Sequence, residues 1–88
     1  MRHNHKYSKG QYIIDTAGQE IMEILDPNRY SIGGSPKYNV MLFHAIEVAD
    51  QIGDHFAIDE ETIDEYCFIV TDDMERVKKE MIKWELKR

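Results

Sequence analysis

Between Gly10 and Ile32, in GQYIIDTAGQEIMEILDPNRYSI, two apolar runs and a third half-run alternate with two compact polar breaks. Tyr12-Ile13-Ile14 is β-branched and aromatic, Asp15-Thr16-Ala17-Gly18 supplies a turn, and Glu20 to Leu25 forms the second run. Asp26-Pro27-Asn28 then places proline where a turn needs φ near about −65° and asparagine where the left-handed region is tolerated. Arg29-Tyr30-Ser31-Ile32 resumes an extended pattern, so the stretch is predicted to be a β-meander.

Downstream, Gly33-Gly34-Ser35-Pro36 reads as a loop. Tyr38 to Ala45 is apolar on both faces and reads as a strand of a small twisted sheet, followed at Glu47 to Gly53 by a helical turn or an acidic loop. A helix over the same region is the competing reading, with Ser35 as N-cap, Pro36 at N1, Gly53 past the end and Met41, Ala45, Val48 and Ile52 at helical spacing. That alternative would make the chain an α-rich bundle. His55 to Ile58 is a short extended run, and Asp59 looks like an N-cap, with Ile58 and Ile63 as a hydrophobic staple around a helical turn from Glu60 to Glu65. Tyr66 to Val70 reads as a last strand. Thr71-Asp72-Asp73 caps a helix from Met74 to about Leu86, whose Met74, Val77, Met81 and Trp84 form one apolar stripe. That stripe packs on the domain or docks on a partner.

Several of these features occur together: Gly10-Gln11-Tyr12-Ile13, Gly18, Ile21 and Ile24, Tyr30 and Ile32, and Tyr38-x-Val40-x-Leu42. Phe56-Ala57-Ile58-Asp59 and Tyr66-Cys67-Phe68-Ile69 follow. In this order they resemble the small SH3-like β-barrel of KOW-type modules and of many short phage and mobile-element proteins of Gram-positive bacteria. The resemblance implies a mostly β chain, with a barrel over residues 8–70 and a C-terminal amphipathic helix over 73–86. It also implies a non-enzymatic protein-binding module, such as a phage-type inhibitor or modulator of a host protein. Nucleic-acid-binding KOW modules carry Lys and Arg around the first turn, whereas Asp15, Glu20, Glu23 and Asp26 stand there in this chain.

Eighty-eight residues support one core, here assigned to residues 10–88 behind a flexible basic start at 1–9. No window approaches the ~20 apolar residues of a membrane span, and the start has no apolar signal region. One cysteine, Cys67, suits a reducing, cytoplasmic setting, and its flanks Tyr66 and Phe68 predict a buried, inert thiol. Catalysis by Cys67 would need His44 or His55 brought to it.

Charge is distributed unevenly. Residues 1–44 carry +1, residues 45–75 carry eleven acids and no Lys or Arg, and the last thirteen residues return +4, for a net −6. An acidic face comprising Glu47, Asp50, Asp54, Asp59, Glu60, Glu61, Asp64 and Glu65 is the candidate binding surface, and its expected partner is a host protein with a basic surface or groove. Such a face would mimic the phosphate charge of DNA, and direct nucleic-acid binding through Lys6, Lys9, Lys78, Lys79 and Lys83 is the rival reading. No metal or cofactor is expected. The acids at 59–65 lack EF-hand spacing, His3-Asn4-His5 lacks a third ligand, and Gly33-Gly34-Ser35 is not followed by the Lys and Ser/Thr of a phosphate loop. Arg29, Tyr30 and Tyr38 read as strand residues rather than a base-stacking platform.

Overall fold

A computed structural model describes residues 5–30 and 36–87. Five strands form one antiparallel sheet: β1 (Tyr12–Asp15), β2 (Glu20–Tyr30), β3 (Pro36–Ala45), β4 (His55–Asp59) and β5 (Ile69–Thr71). A single 3₁₀ turn (Ala49–Gln51) precedes β4, a short helix α1 (Glu60–Glu65) follows it, and helix α2 (Met74–Leu86) ends the chain. The spatial order is β4-β3-β2-β1-β5. Consecutive strands are neighbours up to β4, and β5 returns to pair with β1 through Ile13↔Val70. The sheet is open, with β4 and β5 as its two edges.

Alternation along the strands sends side chains to opposite faces. One face carries Ile13, Met22, Ile24, Tyr38, Val40, Leu42 and Ala45, covered by Ile63 of α1. The other carries Ile14 and Ile21, covered by Val77 and Trp84 of α2. A register shift between Ile21↔His44 and Met22↔Leu42 leaves Phe43 as an extra residue. Phe43 and His44 therefore both reach the α2 side, Phe43 against Tyr12 and His44 stacked on Trp84 at 6.3 Å between ring centroids. Trp84 is only 4% exposed, so the apolar stripe of α2 packs on the domain.

The strand reading of residues 38–45 holds, and the acidic connection contains a helical turn. The β3–β4 hairpin closes on a glycine bulge. Gly53, at φ +99, donates its amide to Leu42 O at 2.8 Å, while Leu42 N donates to Asp54 O at 2.9 Å. Gly10, at φ +91, repeats the device opposite Ile24 at the entry to β1.

Three expectations are corrected. Asp26-Pro27-Asn28 is not a turn but part of β2, with Pro27 opposite Tyr38. β1 reaches only as far as Glu23 on β2, so Pro27 lies where one side of β2 is unpaired, and a register shift between Ile24 and Asp26 absorbs the irregularity. The last strand begins at Ile69, not Tyr66, and Cys67 is exposed. The cause is the end of α1: Phe68 N donates to Ile63 O at 3.1 Å and Cys67 N to Asp64 O at 3.2 Å, a Schellman closure with Cys67 in the left-handed region at φ +54. Asp59 sits at the N-cap position without a side-chain capping bond, and its Oδ1 lies 3.9 Å from Lys37 Nζ. The expected loop at Gly33-Gly34-Ser35, the His3 position and the side chains of Arg29 and Tyr30 lie outside the described residues.

Candidate functional site

Because the sheet does not close, its two edges leave a groove of about 490 Å³ on the α1 side. Met22 of β2, Phe56 and Ile58 of β4, and Phe68 just before β5 line it with apolar surface. Tyr66 stacks on Phe68 with ring centroids 5.7 Å apart. Phe56 is 43% exposed and Tyr66 66%, so two aromatic rings stand at the groove without being covered. The β1–β2 turn forms another part of its wall, with Asp15, Gly18 and Glu20.

That turn is held by its own first residue: Asp15 Oδ1 accepts the Gly18 amide at 2.9 Å. A Cβ on Gly18 would stand 2.7 Å from Asp15 Oδ2, so glycine lets the carboxylate fold back over the turn. Glu20 is held above the usual carboxylate range, first by partial burial and then by the negative charges of Asp15 and Glu47. This end of the groove therefore presents crowded negative charge to whatever enters.

The eight acids of the candidate face fall into two groups, one at each end of β4. Glu47, Asp50 and Asp54 lie on the β3–β4 connection, whereas Asp59 ends β4 and Glu60, Glu61, Asp64 and Glu65 belong to α1. Asp54 and Asp59 are five residues apart along an extended strand, which separates them by roughly 16 Å. The α1 group is partly committed to structure. Lys6 Nζ donates to Asp64 Oδ2 at 2.8 Å, the Tyr7 hydroxyl to Asp64 Oδ1 at 2.8 Å, and the Lys6 amide to Glu60 Oε1 at 2.8 Å. Tyr38, wholly buried, accepts the Tyr7 amide at 3.0 Å and donates its hydroxyl to Glu60. Burial first, and the Glu60 bond second, raise the Tyr38 hydroxyl well above its ordinary pKa, so it stays a donor. The bonds from Lys6 and then Tyr7 hold Asp64 below the ordinary carboxylate range. Residues 5–7, expected as part of a flexible start, are thus placed against α1 and the start of β3.

Glu60, Glu61, Asp64 and Glu65 line a shallow acidic hollow on α1. A further hollow lies beside β4 and holds Asp26, Asn39, His55 and Ala57. His44 is engaged with α2, its Nε2 3.4 Å from Glu85 Oε1, while Cys67 lines the groove. Among the described residues, no group of three or more His, Cys, Asp or Glu is placed to hold a metal ion, and no helix is long and apolar enough to cross a membrane.

Sequence reasoning singled out the acids but missed the groove. Its lining residues are scattered from Ile14 to Phe68, and only the fold brings them together. Exposed Phe56 in a run that reads as an ordinary strand gave no local signal. No protein-family model, curated protein or solved structure matches this chain.

Proposed function

We propose that the protein is a non-enzymatic binding module that recognises another protein through the apolar groove and its acidic surroundings. In its phage-type version it is a small inhibitor or modulator of a host protein with a basic surface. The observation that carries this reading is the exposure of Phe56 and Tyr66 at a groove whose wall includes Asp15 and Glu20. Exposed aromatic surface beside convergent charge is what a protein partner desolvates and pairs with. The finer fold assignment, an SH3-like partly open barrel, rests on the meander β1 to β4, the helical turn before the last strand, and the return of β5 to β1.

The test is a selection from a displayed library of random short peptides, followed by competition on Phe56→Lys. That substitution fills the groove mouth at an exposed site and leaves the core clusters untouched. Peptides that bind the parent should be lost on Phe56→Lys. Retention on the variant, or no enrichment on the parent, contradicts the reading.

A further inference from the structure

The free edge of β4 has a definite polarity that can be read from its pairing with β3. Leu42 exchanges hydrogen bonds with Gly53 and Asp54 at the bulge. Antiparallel ladders alternate, so the next bonded pairs in the register are Val40↔Phe56 and Tyr38↔Ile58. The backbone amides and carbonyls of His55 and Ala57 consequently point away from β3, toward the open side of the sheet, whereas the carbonyl of Asp59, at the N-cap of α1, belongs to the helix. His55, Phe56 and Ala57 are all exposed, and no described strand pairs with that side.

An exposed edge strand of this kind is a template for a further strand unless something blunts it. Here the edge runs between Asp54 and Asp59, and Asp26 lines the hollow on the face of β4 opposite the groove. In a chain of net charge −6, those acids oppose pairing of the edge with a second copy and favour a cationic segment. We propose that β4 receives an extended segment of a partner protein as a sixth strand, in which apolar residues alternate with Lys or Arg. The apolar side chains enter the groove over Met22, Phe56, Ile58 and Phe68. The intervening cations stand on the other side of the strand, where Asp26 and His55 line the hollow beside β4, or reach Asp54 and Asp59 at the ends. Main-chain bonds to His55 and Ala57 fix register and direction, as in other strand-addition complexes.

This inference rests on the groove-binding reading above, and the experiment separates the two. Peptides selected on the parent from the displayed random library are sequenced and measured against Phe56→Lys and Ala57→Pro. Proline at 57 removes an amide that faces the free edge and leaves the bonds to β3 in place, a position edge strands tolerate. Expected are peptides with alternating apolar and basic residues that bind Ala57→Pro at least about tenfold more weakly than the parent, a loss of about 1.4 kcal/mol. Methylating alternate backbone amides of the peptide tests the same bonds from the ligand side and does not depend on how Ala57→Pro folds. It should abolish binding in one of the two phases and spare it in the other. Peptides lost on Phe56→Lys but unaffected by both Ala57→Pro and either methylation phase would overturn strand addition while leaving groove binding intact. Groove-dependent peptides without basic residues would overturn the cationic partner. A concentration-dependent dimer of the parent in sedimentation, abolished by Ala57→Pro, would assign the edge to a second copy instead. Absence of any groove-dependent peptide overturns both readings together.

Discussion

Cys67 illustrates how a single backbone angle displaced an inference from composition. Flanked by Tyr66 and Phe68, it reads as a buried strand residue, yet it occupies the left-handed closing position of α1 at φ +54. The bonds from Cys67 N and Phe68 N to carbonyls of α1 fix that position, and no glycine marks it in the sequence. A non-glycine residue there carries a cost of about 1 kcal/mol. Cys67→Gly is therefore expected to raise unfolding stability by about that amount, measured by denaturant titration. Tyr38 is the opposite case, since its place in a strand was legible, whereas its full burial and its two polar partners were not. Tyr38→Phe should cost about 1 to 2 kcal/mol, because it leaves the Glu60 carboxylate and the Tyr7 amide without their shared hydroxyl. At Glu20, a carboxyl whose pKa is raised on folding favours the native state while protonated and loses that contribution as pH rises through the folded value. Glu20→Gln should thus stabilise the protein at neutral pH and have little effect at pH values below the ordinary carboxylate range, a difference that thermal melts at the two pH values will show.

Among the elements, α2 was readable in its bounds, cap and stripe, which are local. The structure adds that the stripe packs on the domain and which sheet face it covers. Asp73 accepts the Glu75 amide at 3.0 Å at its start. Trp84→Ala should cost about 3 kcal/mol or more by opening a cavity among Ile14, Ile21 and Val77. An unchanged denaturation midpoint would mean that α2 does not belong to the core. β2 was misread at Pro27 because a strand accepts proline only where its partner has ended, and the extent of β1 is not a local property. Docking of residues 5–7 on α1 depends on a carboxylate with a depressed pKa. The contribution of Asp64 is present above the unfolded carboxyl pKa and is lost as pH falls through the lower folded value. On acidification the amides of Lys6 and Tyr7 should gain hydrogen-exchange freedom before those of β1 to β3.

For the molecule as a whole, most of the strands were legible from alternation, although the turn read at Asp26-Pro27-Asn28 split β2 in two, and the charge asymmetry was legible by counting. The openness of the sheet was not, because closure depends on whether two edges meet in space, and with it went the groove. The acids appeared in sequence as one block, whereas β4 separates them into two groups and Lys6 and Lys37 answer part of their charge. Lys and Arg stand before residue 45 and after residue 75, with the acidic stretch between them in sequence, whereas phosphate binding requires a contiguous cationic surface. Random duplex DNA should accordingly show no salt-dependent binding at micromolar protein in a gel shift. The location of the binding surface is tested by a backbone amide NMR map of the parent titrated with a peptide selected on it. The largest shifts are expected at residues 54–58 and 66–68, with α2 unchanged. Shifts concentrated on α2 or on the Lys6–Asp64 contact would contradict that location.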